Sequence, residues 1–170
     1  LVNDAFNKNK LMGMIQSKKK NNSVYNVGCL GKISDYQKSK DGRILINLTG
    51  ISRFKIIKEI PTQKLYREFQ VDYGDYSEDV DHESDKIEAN GLMEKAKTFF
   101  KKNGLLLNWI EFEKLDNIQK INTLAMIAPI TNEEKQKLLE AISVKNKIET
   151  LESIISFYLH ETNINNQTIQ

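Results

Sequence analysis

The chain has 170 residues, 39% of them hydrophobic and 28% charged, with a net charge of +2. This balance describes a folded, soluble, polar chain, and +2 is too small by itself to imply nucleic acid, whose binding domains concentrate Lys and Arg. A single cysteine, Cys29, excludes an intramolecular disulfide framework, and no apolar run approaches the ~18–20 residues of a membrane span, so the expectation is a cytoplasmic protein away from the membrane.

The opening L-V-N-D-A-F reads as the last turns of a helix. It has no initiating Met and no signal peptide, so residues are expected to precede it. Leu11–Ile15 is a short apolar strand, followed by the polar turn Lys18-Lys19-Lys20-Asn21-Asn22. The lysine run is either a phosphate contact or a solvated hairpin tip. No aromatic residue is interleaved with it, and the tip is the simpler reading.

From Tyr25 to Ile33, the residues Val27, Cys29 and Ile33 fall on one face at period two. Gly28 and Gly31 interrupt that strand, and glycine there signals a bulge, a bend or a close backbone approach. Asp41-Gly42 is a turn between two strands. Ile44, Ile46 and Leu48 alternate after it, and Gly50 closes the run. Arg53 to Ile57 forms another strand, which Pro61 ends. Leu65, Arg67, Phe69, Val71 and Tyr73 alternate on one face of a further strand. About five strands in residues 11–73 favour a closed or nearly closed antiparallel barrel.

Residues 72–88 are acidic. Asp79-x-Asp81-x-Glu83 mimics the start of a calcium loop, but Ser84 stands where the loop needs glycine and Asn90 where it needs the bidentate Glu. A solvated linker, acidic ahead of a helix, is the better reading. The rest is helical. Ala89, Leu92, Ala96, Phe99 and Phe100 make one stripe, which ends at Gly104. Leu105–Trp109 is an apolar connector, with Trp109 a packing anchor. Leu115, Ile118, Ile121 and Ala125 make a second stripe, stopped by Pro129. Thr131-x-x-Glu134 is a capping box opening a third helix, and Ser143 caps a fourth. The fold class is therefore α+β. It comprises a small β-barrel at 1–75, an acidic linker at 76–84, an α-helical bundle at 85–161 and a polar tail at 162–170.

The residues offer no catalytic, metal or cofactor site. Gly28-x-x-Gly31-Lys32 lacks the phosphate-loop spacing and no helix follows it. His82 and His160 are the only histidines and lie in different segments. Cys29, in an alternating strand with no histidine nearby in sequence, reads as a buried, inert thiol. The candidate binding residues are Tyr25, Tyr36, Phe54 and Tyr66, on or beside the barrel strands. Arg43 and Arg53 flank the strand pair and either fix the barrel end through loop carbonyls or bind an acidic partner.

The stretches V-G-C-L-G-K-I and D-G-R-I-L-I-N-L-T-G-I-S-R-F-K-I resemble the N-terminal domain of ATP-dependent Lon proteases. They are still more similar to the stand-alone bacterial proteins that consist of that domain alone. Leu124–Ile130 and Glu134–Glu140, then a helix from near Val144, follow in the family's order, so the resemblance covers roughly residues 1–160. It implies a pseudouridine-synthase-and-archaeosine-transglycosylase-like (PUA-like) barrel followed by helices. It also implies a non-catalytic part that recognises protein substrates and supports assembly. Gly28, Gly31, Asp41, Gly42, Gly50 and Arg53 match the motif, with structural roles. No Walker motif or protease segment is present, so neither activity carries over. The family's opening strand is also absent from the sequence. The implied partners are client polypeptides and Lon itself, with RNA the alternative suggested by the barrel type and the Lys18–Lys20 tip.

Overall fold

The computed structural model describes residues 1–19, 22–79 and 89–167. Lys20, Asp81, His82 and Glu83 lie outside the described residues, and with them part of the lysine run and most of the expected acidic linker. So does the end of the tail, 168–170. The chain divides into two compact units, Leu1–His82 and Glu83–Gln170.

The first unit opens with a short helix, α1 (Val2–Phe6). Lys10 ends its exit turn in the left-handed region, at φ 61, and its N–H donates to the Ala5 carbonyl at 2.8 Å. Four strands follow: β1 (Leu11–Met14), β2 (Val27–Lys38), β3 (Ile44–Ile60) and β4 (Glu68–Asp72). They form one antiparallel sheet in the order β1-β2-β3-β4, with β1 and β4 at its edges. A 3-10 turn, Gly74–Asp79, completes the unit.

The antiparallel sheet and the helices after it agree with the expected α+β class, but among the described residues there are four strands where the sequence suggested about five. The segments on either side of Gly50 are one strand of 17 residues. It survives because irregularities are taken up as bulges, which bend a strand without ending it. Leu30 faces Ser52 while Gly31 faces Gly50, so Ile51 is the extra residue. Ile56 faces Val71 while Lys58 faces Gln70, so Ile57 is another. Both bulged isoleucines are exposed. Between β2 and β3 the chain turns at Gly42, φ +86, where a side chain would be strained.

The buried residues Ala5, Met12 and Ile33 pack with Val2, Phe6, Tyr36, Ile46 and Leu48 to form the sheet unit's core. Arg53 ties the 3-10 turn to β3. Its backbone N–H and its guanidinium both donate to the Asp79 carboxylate, at 2.7–3.2 Å, and the guanidinium lies 4.3 Å over the Tyr76 ring. Asp79, read in the sequence as part of a solvated acidic segment, is the partner of a nearly buried arginine.

The second unit is helical: α2 (Asn90–Lys102), α3 (Trp109–Glu113), α4 (Asn117–Ile127), α5 (Asn132–Glu140) and α6 (Val144–Gln167). Gly104, φ +67, ends α2 as expected. The connector after it contains a helix the periodicity did not reveal. α3 is five residues long and starts where the Asn108 side chain accepts from the Glu111 N–H. Capping boxes at Asp116–Gln119 and Thr131–Glu134 open α4 and α5. The core gathers Leu92, Ala96, Phe99, Phe100, Phe112, Ile121, Leu124, Leu138, Leu151 and Ile155. Trp109 packs edge-on against Phe100 and Phe112.

Candidate functional site

The sheet unit carries an apolar groove of about 650 Å³. Its walls come from three places: α1, β1, and the run from the end of β3 through the following loop into β4. Met12, Leu30, Phe54, Phe69, Val71 and Tyr73 line it with apolar surface. A volume of this size falls in the ordinary range of binding sites.

The floor depends on glycines. A Cβ on Gly28 would lie 2.6 Å from both the Met14 carbonyl oxygen and Phe54 Cζ. A Cβ on Gly13 would lie 3.2 Å from the same ring atom. The Phe54 ring therefore occupies space that side chains on β1 and β2 would fill, and Tyr73 meets it edge-on with centroids 6.3 Å apart. Phe54 is only 3% exposed, so of the candidate binding residues it is the one built into the floor.

The rim is polar and mixed in sign. The Tyr66 hydroxyl donates to Asp4 across the groove at 2.9 Å, joining the β3–β4 loop to α1. Burial first, and then this hydrogen bond, push the Tyr66 phenol above its ordinary value, against the opposing pull of Lys64. Lys64 pairs with Glu68 at 2.5 Å and holds that carboxyl below the usual range, with Thr62 helping. Arg67 donates two bonds to Glu59, at 2.7 and 2.6 Å, and lies 5.0 Å over the Phe69 ring. Its hydrogen bond holds Glu59 low as well.

Of the residues singled out in the sequence, the groove brings together Phe54 and Tyr66. Tyr36 lies on the sheet unit's core, stacked on Phe6 with centroids 4.5 Å apart, and its hydroxyl donates to Asn3. Tyr25 lies under the Lys18 ammonium at 5.2 Å. Arg43 stands at the hairpin turn, bonded to Asp41, whose carboxyl it holds below the usual range. Leu65, expected on one face with Phe69 and Val71, is fully exposed in the loop before β4. Cys29 is half-buried where a buried thiol was expected. A Cβ added at Gly50 would stand 3.7 Å from its sulfur, so the glycine leaves that side of the thiol uncovered. The sequence reading missed Asp4, Lys64 and Glu68. Asp4 and Tyr66 stand 62 positions apart, and no periodicity connects them.

Among the described residues, no group of His, Cys, Asp and Glu is placed to hold a metal ion, and no helix is long and apolar enough to cross a membrane.

A family model described as the ATP-dependent protease La (LON) substrate-binding domain matches residues 1–156. A Lon protease of Dictyoglomus thermophilum is 28% identical over 172 aligned positions, covering 94% of this chain and 20% of the relative. A Lon protease of Bacillus thuringiensis is 28% identical over 141, covering 80% and 17%. The chain thus spans about a fifth of the length of these curated relatives. Among solved structures, a Lon N-terminal domain protein from Xanthomonas campestris superposes with a TM-score of 0.64 at 15% identity, covering 91% of this chain and 80% of that one. The N-terminal domain of the Mycobacterium avium complex Lon protease superposes with 0.61, also at 15% identity, covering 91% and 82%.

Proposed function

We propose that this chain, which belongs to the ATP-dependent protease La (LON) substrate-binding domain family, is a non-catalytic module that binds client polypeptides in the groove of its sheet unit. On this reading it serves a Lon-type protease as a recognition part or adaptor. The observation that carries the reading is the groove itself: an apolar floor inside a polar, hydrogen-bonded rim. Exposed apolar segments are what an unfolded client offers and a folded protein hides. The rim speaks for polypeptide over RNA, because Lys64 and Arg67 each stand against a carboxylate and leave no uniform cationic face.

The test is fluorescence anisotropy with several labelled, permanently unfolded proteins. Ile60 lines the groove and is 42% exposed, so Ile60→Asp should leave the fold intact and weaken binding roughly tenfold or more. Leu45 is 65% exposed and does not line the groove, so Leu45→Asp should change little. Absence of binding to every client, or equal losses for both variants, would sink the proposal.

A further inference from the structure

We propose that the helical unit carries a second contact site, independent of the groove: an apolar tip between α2 and α3 that inserts into a lipid surface bearing anionic headgroups. Two stops in the chain build the tip. α2 ends at Gly104, whose N–H donates to the Lys101 carbonyl at 3.2 Å, while the Leu105 N–H reaches back to the Phe100 carbonyl at 3.0 Å. α3 starts at Trp109, where the Asn108 side chain accepts from the Glu111 N–H. Between these pinned ends, Leu107 and Trp109 turn inward and pack on the helical core. Leu105, Leu106 and Ile110 turn outward, and are 38%, 102% and 76% exposed. Apolar side chains held out together in this way mark an interaction site.

Charge and size select the occupant. From 97 to 114 the sequence carries four lysines, Lys97, Lys101, Lys102 and Lys114, against two glutamates. Both glutamates stand in ion pairs, Glu111 with Lys114 and Glu113 with Lys97 and Lys120. Lys101 and Lys102 are exposed in the last turn of α2, directly before the tip. Lysines beside exposed leucine and isoleucine, with a tryptophan at the edge, suit the boundary between acyl chains and anionic headgroups. A second copy fits less well, since a two-fold contact through the tip brings these lysines toward their own counterparts. A stable protein partner covers about 800 Å² per side, more than three side chains offer. No helix among the described residues is long and apolar enough to cross a membrane, and a tip seated in the headgroup boundary needs none.

The test is flotation of the full chain with vesicles of phosphatidylglycerol and phosphatidylcholine in equal parts, compared with phosphatidylcholine alone. The chain should float with the anionic vesicles at low salt and leave them as salt is raised. Leu106→Ser combined with Ile110→Ser should weaken binding about tenfold or more, and so should Lys101→Gln combined with Lys102→Gln. Ile142→Ser is the control. Ile142 is 61% exposed and stands at the other end of the helical unit. Lys95 pairs with Glu152 and Phe99 packs on Tyr158, so α2 and α6 run parallel and the start of α6 lies away from the end of α2. Trp109, the only tryptophan, borders the tip, so vesicles with brominated acyl chains should quench the fluorescence of the natural chain.

Absence of flotation with anionic vesicles overturns the proposal. So does equal binding to the neutral vesicles, binding without quenching, or an equal loss in the Ile142 control. Sedimentation of the lipid-free chain checks the other occupant. Concentration-dependent association that the Leu106 and Ile110 changes abolish would assign the tip to a second copy and overturn the lipid reading.

Discussion

Single glycines decide how the two central strands approach each other. At Gly28 an added Cβ meets a backbone oxygen and a buried ring at 2.6 Å, and neither can step aside. Gly31 is less rigidly enforced, since the atoms in the way belong to the Leu48 side chain. At Gly50 the nearest atom is Cys29 Sγ at 3.7 Å, an ordinary contact. Gly28→Ala should therefore cost about 1–3 kcal/mol as an overpacking substitution. Gly50→Ala should fall within about 1 kcal/mol of neutral, because alanine also restricts the unfolded chain. Urea midpoints of the full chain, followed by far-ultraviolet circular dichroism, would separate them. Similar losses at both positions would mean that packing around Gly28 relaxes freely. The sequence marked all three glycines alike. What differs is which side chains of the neighbouring strands each added Cβ would meet, and those neighbours depend on a register the sequence does not state. Arg53 repeats the lesson: its position was legible, while its partner Asp79 lies 26 residues away behind a turn.

Helix ends were the most readable elements, because a cap is written within four residues. Thr131 and Glu134 form their box as the spacing predicts, with Glu134 N–H donating to Thr131 Oγ1 and Thr131 N–H to the Glu134 carboxylate. The Tyr158 hydroxyl adds a third donor from α6 at 3.0 Å, which no local pattern announces. Burial pushes the Glu134 carboxyl up, but the bonds from Thr131 and Tyr158 outweigh it and hold the group below its ordinary 4.5. A carboxyl held low in the fold leaves the unfolded chain binding more protons, so this contribution is present above the unfolded value and is lost as pH falls through the folded one. Thr131→Ala should cost about 1 kcal/mol near neutral pH. Glu134→Gln should also destabilise there, and its deficit relative to the natural chain should shrink as pH falls from about 5 toward 3. Urea midpoints across that range provide the check, and a deficit independent of pH would remove the charge from the explanation. The longer elements were harder to read. Gly50 looked like the end of a strand because a bulge and a terminus leave the same local mark, and α3 escaped because five residues are too few to establish a period.

At the scale of the molecule, two cores of different size stand in one chain. Among the described residues, the helical unit gathers twelve buried residues into one cluster, whereas the sheet unit's cluster holds three, with Val27, Phe54 and Tyr76 buried outside it. Hydrophobic stabilisation follows apolar area removed from water, and a domain of some eighty residues has little to spare. We propose that the two units fold as separate cooperative blocks, the sheet unit being the weaker. The chain carries its own reporter, because Trp109 is the only tryptophan and packs among Phe100, Phe112 and Lys97 within the helical unit. Its fluorescence should follow that unit alone, while amide exchange on β2 and β3 follows the other. Gly28→Ala should then lower the urea concentration at which the β2–β3 amides lose protection and leave the Trp109 transition where it was. An equal shift in both signals would make the chain one cooperative block and refute the division.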